Sequence, residues 1–273
     1  MSVSAEAFGY VADLVRTHSA IQLTPGKEYL VESRLMPLAR EKGLSGPTAV
    51  ESYVREMRRR ADRSEVTRVV EALTTNETSW FRDNSPFVVF RRHVVPAVQS
   101  LHPGPVRIWS AACSTGQEPY SIAMTLLETG ESRFSVLATD LSTAVLAQAR
   151  RGEYSQLEMN RGLPAAMLIR YFARSGAGWA VKDELRRTVT FTQHNLLSPP
   201  PSGGPFDVVF LRNVLIYFDA ATKRDIFTRI RRVMRPGAFL ILGAAESTVG
   251  ITDAWERVAT PYGSVYRVPG GTS

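Results

Sequence analysis

The fold of this chain is decided by the segment Val106-Arg107-Ile108-Trp109-Ser110-Ala111-Ala112-Cys113-Ser114-Thr115-Gly116-Gln117-Glu118-Pro119. A short β-rich apolar run passes into a loop of small residues, and a helix then opens. The same alternation of strand-like and helical patterns continues along the chain. Further apolar runs are Phe134–Thr139, Phe206–Leu211 and Ala238–Leu242, and the helical patterns are Pro119–Leu127, Ala144–Arg150 and Ala221–Met234. This alternation predicts an α/β fold with a doubly wound, mostly parallel sheet covered by helices on both faces.

The loop after the first strand is the first candidate ligand site. Ligands of doubly wound sheets bind beyond the carboxyl ends of the strands. The small residues Ser110–Gly116 let a ligand approach the backbone closely, and the absence of a G-x-G-x-x-G fingerprint argues against NAD. The alternative is a tight turn whose small residues serve packing. We expect Cys113 to be a packed residue, because no His or basic neighbour adjoins it in sequence.

Polar residues follow two other strands. Asp140, about 20 residues beyond the loop, stands where an acid binds a ribose hydroxyl pair; the alternative is a helix cap. Arg212 and Asn213 follow the apolar run Phe206–Leu211 directly. Their alternatives are an arginine that extends to solvent and a second helix cap. The loop and Asp140 together favour an adenosine-type ligand.

The N-terminal region follows a different pattern. Helical spacing of apolar residues predicts a small helical domain over residues 1–75. Residues 76–104 are interpreted as a linker and cofactor-facing segment, because Leu73–Arg82 concentrates amides, hydroxyls and a guanidinium instead of Gly, Ser or Pro. Residues 105–273 form the predicted α/β domain.

Composition narrows the class of protein. The 273 residues carry a net charge of +7, which attracts acidic partners, either nucleic acid or an acidic protein surface. A single cysteine excludes a disulfide framework and a cysteine-built zinc site, so we expect no metal. Neither a signal peptide nor a run of roughly 18 apolar residues is found, and we expect a cytoplasmic chain without membrane insertion.

The motifs together resemble the chemotaxis receptor methyltransferase family, CheR, over essentially the whole chain. The order and spacing are highly specific, and the resemblance is carried by Thr74–Thr78 with Phe81-Arg82, Ser110–Gly116 with Glu118–Ser121, Ala138–Asp140, Asn195–Leu197, Arg212–Val214 with Ile216–Phe218, and Pro236-Gly237. The resemblance implies a helical N-terminal domain, an S-adenosylmethionine-dependent methyltransferase domain, and a small antiparallel β-subdomain inserted at about 168–192.

The resemblance also implies a reaction and its site. A receptor glutamate carboxylate attacks the methyl group of S-adenosylmethionine, giving a glutamyl methyl ester and S-adenosylhomocysteine. Glutamate is already ionised at neutral pH, so no strong general base is needed. Arg82 and Tyr217 are the candidates that orient this carboxylate. Family cofactor contacts carry over to Asn76, Thr78, Arg82, Glu118, Asp140, Asn195, Leu196, Arg212 and Asn213, with Glu118 suited to the methionine ammonium, Asp140 to the ribose and Asn195-Leu196 to the adenine.

Basic residues of the N-terminal domain are candidates for docking on receptor helices. In family members with a strongly basic second helix, several arginines line the face that meets the receptor. Here that helix is Lys27–Lys42, where Pro37 and Leu38 fall at places in which further arginines are expected. The candidates are Arg34 and Arg40 on this helix and Arg55 and Arg59 on the next; the alternative for each is a solvated face.

Some family members also bind a pentapeptide at the receptor's C-terminal tail, on the edge of the β-subdomain. Here the subdomain spans Tyr171–Phe191, and its first turn, Arg174–Gly178, is shorter than in tail-binding members. Strand addition needs an accessible edge. We therefore expect direct recognition of receptors without a pentapeptide tether.

Two other functions stay open. A nucleic-acid methyltransferase is favoured only by net charge, and its Asp/Asn-Pro-Pro-aromatic tetrad is replaced here by Arg212-Asn213-Val214-Leu215. A non-catalytic adaptor that binds S-adenosylmethionine is the second alternative. The preferred interpretation is a monomeric cytoplasmic enzyme recruited to membrane receptor arrays, with no nucleic-acid partner.

Overall fold

A computed structural model describes residues 3–60, 62–101 and 104–270. The chain forms two compact units. The smaller is Met1–Thr75 together with Tyr217–Asp219, and the larger is Asn76–Ile216 together with Ala220–Ser273. Residues 102 and 103 of the expected linker lie outside the described residues.

The smaller unit is helical, as its apolar spacing predicts. Its helices are α1 (Ala5–Ser19), α2 (Glu28–Glu41), α3 (Ala49–Arg60) and α4 (Arg63–Ala72). Ser4 begins α1 by accepting a hydrogen bond from the Ala7 amide, and Asp62 does the same for the Ser64 amide at α4. The core of this unit is built from one apolar stripe per helix, including Val11, Val15, Val31, Leu35, Val54 and Val69.

The larger unit begins at residue 76. In chain order its elements, with the short turn that leads into Tyr217, are α5 (Ser85–Val89), a π-helical turn (Phe90–Val94), α6 (Val95–Leu101), β1 (Val106–Ala111), α7 (Gln117–Glu128), β2 (Phe134–Asp140), α8 (Thr143–Arg151), β3 (Glu153–Ser155), α9 (Gln156–Met159), α10 (Ala165–Tyr171), β4 (Phe172–Ser175), β5 (Gly178–Val181), α11 (Asp183–Arg186), β6 (Val189–Gln193), β7 (Phe206–Leu211), a 3-10 turn (Leu215–Tyr217), α12 (Ala220–Arg232), β8 (Met234–Leu242), β9 (Glu256–Thr260) and β10 (Gly263–Arg267).

The main sheet has seven strands in the order β6-β2-β1-β7-β8-β10-β9. Neighbours from β6 to β8 are parallel, and β10 pairs antiparallel with both β8 and β9. The predicted doubly wound, mostly parallel fold is confirmed. Ile108, Val208, Val209 and Phe210 are fully buried, as strands covered on both faces require.

The expected linker belongs to the larger unit instead of joining two units. Its residues 85–101 are helical, and Trp80, Phe87 and Phe90 are buried in the same core as the sheet. Phe90 packs edge-on against Phe210 of β7, with ring centroids 5.2 Å apart. Burial of these aromatic rings stabilises the helical conformation of the segment.

The inserted β-subdomain differs from its expected range of 168–192. Its antiparallel sheet has the order β3-β5-β4, so its first strand is Glu153–Ser155, well before residue 168. A strand of three residues is too short to show alternation in sequence. At the other end, β6 pairs with β2 and is part of the main sheet.

Candidate active site

The strand order places the candidate site above β1 and β7. From β1 the chain continues to β2 and β6 on one side, and later to β7 and β8 on the other. The order therefore reverses between β1 and β7, and the carboxyl ends of these strands border the crevice in which such folds bind ligands.

The loop after β1 is held in an unusual backbone conformation. Ala112, Ser114 and Gly116 all have positive φ, at 61°, 52° and 97°. Non-glycine residues rarely adopt this region, and where they do the surroundings must enforce it. A Cβ on Gly116 would lie 2.9 Å from the Ala149 Cβ and 3.0 Å from the Tyr154 hydroxyl. Residues of α8 and β3 therefore pack directly against the loop at Gly116.

Asp140 connects two loops of the site. Its Oδ2 accepts a hydrogen bond from the Ser114 amide at 2.8 Å, and its Oδ1 accepts one from the Ser142 amide at 3.0 Å. The Asp140 carbonyl accepts from the His194 amide at 2.9 Å. Ser142 itself is the N-cap residue of α8, so Asp140 binds the residue at which that helix begins. The bond from the His194 amide brings Asn195 and Leu196, next along the chain, beside the end of β2.

The segment Asn76–Asn84, here called the wall segment, is anchored on this site. The Ser114 hydroxyl donates to the Asn76 carbonyl at 2.7 Å, and the Phe81 amide donates to the Ser121 hydroxyl at 3.1 Å. Phe81, Asp83 and Asn84 have positive φ. The predicted ligand-facing segment thus reaches the loop after β1 and the first turns of α7.

The inserted subdomain supports the wall segment from another side. The Trp80 amide donates to the Arg161 carbonyl at 3.1 Å, and the Trp80 ring packs edge-on against Tyr154 and Phe172. Gly162 has a φ of 95°, and a Cβ there would overlap the Trp80 carbonyl oxygen. Only glycine fits this place.

Arg212 is the buried centre of an ionic network. Its guanidinium donates to Glu118 at 2.9 Å, to Asp83 at 2.9 Å and to the Arg82 carbonyl at 2.7 Å. The side chain is 1% exposed, so it does not extend to solvent as the alternative supposed. The network connects the end of β7 with α7 and the wall segment. Asp83 was not identified from sequence, since nothing local marks its pairing with a residue 129 positions away.

Glu118 occupies a low-dielectric place in this network. Burial raises the pKa of its carboxyl, while Arg212 and the Ser110 hydroxyl oppose that rise. Ser110 donates to Glu118 at 2.8 Å. Cys113 lies nearby, and burial together with the charges of Asp140 and Glu118 raises the pKa of its thiol, which makes it a packed residue and not a nucleophile.

The remaining predicted residues differ in their surroundings. Arg82 donates to the Glu77 carbonyl at 2.7 Å. Asn213 has a φ of 58°, and its amide donates to Glu246, a residue that sequence reasoning did not identify. Thr78 is half-buried, and its hydroxyl has no hydrogen-bond partner among the residues described. Tyr217 is grouped with the helical unit, where its carbonyl accepts from the Gln22 amide at 3.2 Å.

The four docking candidates divide into two kinds. Arg34 donates to the Thr74 carbonyl at 3.0 Å and is half-buried, which ties the end of α4 to α2. Arg40, Arg55 and Arg59 are exposed, and their side chains have no partner in the described ranges. Arg34 therefore has a structural role that its helical spacing did not reveal.

The residues of the site fit S-adenosylmethionine. A carboxylate offers about four acceptor positions, of which the Glu118 carboxylate uses two, leaving capacity for an ammonium group. Within the part of the chain that the structure describes, the buried Arg212 Nε–H has no hydrogen-bond partner, so this donor can bind an acceptor of a ligand. In residues 3–60, 62–101 and 104–270, no cluster of His, Cys, Asp and Glu is placed to hold a metal ion, and no helix is long and apolar enough to cross a membrane.

Comparison with known proteins agrees with this arrangement. Residues 76–263 match the family model described as CheR methyltransferase, SAM binding domain, and residues 6–74 match CheR methyltransferase, all-alpha domain. The chain is 43% identical over 256 residues to chemotaxis protein methyltransferase Cher2 of Pseudomonas putida, covering 90% of this chain and 92% of the relative. It is 37% identical over 275 residues to the chemotaxis protein methyltransferase of Vibrio parahaemolyticus, covering 98% of each.

Fold, site and comparisons together define an S-adenosylmethionine-dependent methyltransferase. The resemblance noted in the sequence is confirmed. The chain belongs to the CheR family of chemotaxis methyltransferases.

Proposed function

We propose that this enzyme transfers the methyl group of S-adenosylmethionine to glutamate side chains of bacterial chemoreceptors and so forms glutamyl methyl esters. The observation that carries the proposal is the match of both units to CheR, with relatives named chemotaxis protein methyltransferase aligned over nearly the whole chain. We place the enzyme in the cytoplasm, as a monomer recruited to receptor arrays.

The cofactor contacts are assigned from the family pattern, and the geometry supports them. Asp140 would bind the ribose and Glu118 the methionine ammonium, with Asn195 and Leu196 against the adenine. Asn76, Thr78, Arg82, Arg212 and Asn213 complete the set. The support is their common anchoring: Asp140, Ser114 and Asn76 form one chain of hydrogen bonds, and Arg212 connects Glu118 with the wall segment.

When bound, the cofactor supplies an electrophilic methyl group on a sulfonium. The substrate carboxylate forms a bond to that carbon as the carbon–sulfur bond breaks, and no proton has to move. The protein must then align the two groups, an effect that can supply roughly 7–11 kcal/mol. We assign this orientation to Arg82 and Tyr217. Arg82 already donates to the Glu77 carbonyl, which leaves part of its guanidinium for a weakly held carboxylate.

Receptor docking is assigned to Arg40, Arg55 and Arg59, whose exposed cations suit acidic receptor helices. We keep Arg34 in this set only as a residue that positions α2, since its guanidinium is bound to the Thr74 carbonyl.

The β-subdomain supports recognition without a pentapeptide tether. Strands β4 and β5 are joined by Gly176 and Ala177 alone, and the edge strand β4 has four residues. The Arg174 guanidinium lies 4.2 Å from the centre of the Trp179 ring, so that edge carries its own side-chain stack. Such an edge offers a short ladder for an added strand.

One assay tests the reaction. Tritiated S-adenosylmethionine is incubated with the enzyme and receptor-bearing membranes, and base-labile release of methanol is measured. Esters release methanol under base and N-methyl groups do not. Base-stable label would favour the nucleic-acid alternative, and cofactor binding without transfer would favour the adaptor.

A second assay tests the tether. Receptors with and without their C-terminal tails are compared as substrates, and tail pentapeptides are titrated against the enzyme. Equal methylation of both receptors is expected. Micromolar binding of the pentapeptide with a large loss of methylation on tail removal would contradict direct recognition.

A further inference from the structure

Glu246 lies in the turn after β8 and binds four backbone amides at once. Its Oε2 accepts from Asn213 and Gly243, each at 2.8 Å. Its Oε1 accepts from Val214 at 2.9 Å and from Leu215 at 2.7 Å. A carboxylate has about four acceptor positions, so this side chain is saturated. It cannot also serve as a base or a ligand without releasing a strand end.

The backbone around Glu246 is shaped to receive it. Asn213 has a φ of 58°, in the left-handed region, and the amides of Asn213, Val214 and Leu215 point at one carboxylate. Successive amides arranged in this way form a concave anion site. Gly243 leaves the necessary room, because a Cβ there would lie 2.7 Å from Glu246 Oε2 and 2.9 Å from the Asn213 nitrogen.

The clamped loop follows β7 and carries proposed site residues on both sides. Arg212, the buried centre of the ionic network, directly precedes Asn213 in the chain. Leu215 begins the 3-10 turn that ends at Tyr217. A carboxylate that sets the backbone from 213 to 215 therefore sets where a cofactor contact stands and how the chain enters the turn.

We propose that Glu246 is a positioning residue for methyl transfer, which clamps the ends of β7 and β8 so that the loop Asn213–Leu215 holds its catalytic geometry. This inference rests on the proposed function, since it assumes that the loop serves cofactor and substrate. Glu246 acts through that loop and touches no reacting group.

A second carboxylate of the same sheet provides a matched control. Asp207 lies at the opposite, amino-terminal end of β7 and is 2% exposed. It accepts from the Arg107 amide at 2.7 Å and forms an ion pair with Arg235 at 2.9 Å. Asp207→Asn therefore also weakens a carboxylate link between strands, but far from the proposed site.

The test compares Glu246→Gln, Gly243→Ala and Asp207→Asn in the full chain. Thermal unfolding, affinity for S-adenosylhomocysteine, and kcat and KM for receptor methylation are measured. We expect Glu246→Gln to lower kcat by about 10- to 100-fold with little change in the receptor KM, because small displacements of aligned groups cost rates of this size. Its melting temperature should fall as in Asp207→Asn, whose kcat should stay near wild type.

The outcomes distinguish a failure of the positioning role of Glu246 from a failure of the proposed function. If Glu246→Gln does not fold, Gly243→Ala carries the test, since it crowds the carboxylate and the Asn213 amide without removing a charge. Loss of stability with wild-type kcat and wild-type cofactor affinity in both variants would overturn the positioning role. If the wild-type enzyme binds S-adenosylhomocysteine but transfers no methyl group that base releases as methanol, the proposed function is overturned instead. The effect of Glu246→Gln on the affinity for S-adenosylhomocysteine would then still test whether Glu246 positions the loop.

Discussion

The phenol of Tyr154 donates a hydrogen bond to the backbone carbonyl of Thr115, at 2.8 Å. Tyr154 belongs to β3 of the small inserted sheet, and Thr115 belongs to the loop after β1. Burial raises the pKa of Tyr154 well above its ordinary value, so this donor stays protonated at any working pH. The inserted subdomain thereby helps to support the loop after β1, which we propose to bind the cofactor.

Replacing this donor should weaken cofactor binding as well as folding. Tyr154→Phe removes the bond to the carbonyl of half-buried Thr115, which costs about 0.5–1.5 kcal/mol. Part of that loss should appear in affinity for S-adenosylhomocysteine, measured by calorimetry. Tyr120→Phe is the control, because its buried phenol donates to the Ala149 carbonyl at 3.0 Å and not to the loop. Equal affinities in the two variants would show that the loop does not depend on Tyr154.

Asp140 should set the affinity for the ribose. Asp140→Ala is expected to cost about 1.5–3 kcal/mol of binding free energy, the usual range for hydrogen bonds to a charged group. Because the variant also frees the Ser114 and Ser142 amides, affinity for a dideoxyribose analogue of S-adenosylhomocysteine is measured as well. The analogue should bind wild type weakly and lose little more in the variant. A full further loss would place Asp140 outside ribose recognition.

Arg82 should matter for turnover and little for stability. Arg82→Ala is expected to lower kcat by about 100-fold at saturating cofactor and receptor. Arg161→Ala is the matched control, since Arg161 also reaches Glu77, through an exposed ion pair of 2.9 Å. Both variants should unfold within about 0.5 kcal/mol of wild type. Wild-type kcat in Arg82→Ala would refute the orienting role.

The exposed arginines should make receptor methylation sensitive to salt. Charges on the surface are screened beyond about 8 Å at physiological ionic strength, so rising salt should raise the receptor KM. Reversals of Arg40, Arg55 or Arg59 to Glu should raise KM further, by about 3- to 10-fold each. Arg231→Glu, an equal charge change at an exposed residue of α12, should leave KM unchanged. A response to salt without any response to the three reversals would move docking to another face.

The helical unit should lose stability in acid through Glu65. Burial raises the pKa of this carboxyl, but hydrogen bonds from Tyr53, Lys42 and Arg68 outweigh that effect and the net pKa is lowered. Its stabilisation is therefore complete above the unfolded pKa of about 4.3 and is lost as pH falls through the lower folded value.

Glu65→Gln isolates this contribution. We expect it to cost about 1–3 kcal/mol at neutral pH, because Tyr53 donates to Glu65 at 2.6 Å and Lys42 lies at 2.9 Å. The difference from wild type should shrink below about pH 4. Thermal unfolding of both proteins across this range measures it, and a constant difference would mean that Glu65 titrates normally.

Sequence patterns predicted the main sheet because its strands are buried on both faces and so appear as continuous apolar runs. They also indicated Asp140 and Arg212 as candidates, since a polar residue directly after such a run lies at the edge of the sheet where such folds bind ligands. These are properties of short stretches of chain, and the fold only has to bring the strand ends together.

Contacts between distant stretches were not predictable in the same way. Glu246 binds amides 31 to 33 residues away, and nothing in its own segment indicates that. Asp83 and the three-residue strand β3 were missed for the same reason. Arg34 looked like one more surface arginine, although the carbonyl of Thr74, 40 residues away, holds it. The helices of residues 85–101 were not predicted either. Pro86 in the first turn of α5 and the apolar residues that follow it are signals from which a helix could have been inferred.

Gly162 has a consequence for exchanging parts between relatives. Its missing side chain lets the insert lie directly against the Trp80 carbonyl, while Tyr154 of the same insert reaches the loop after β1. An insert transplanted from another methyltransferase therefore also changes the support of the loop after β1, which we propose to bind the cofactor. We expect such a chimera to keep this support when the donor supplies a glycine at the position of Gly162 and a tyrosine at the position of Tyr154.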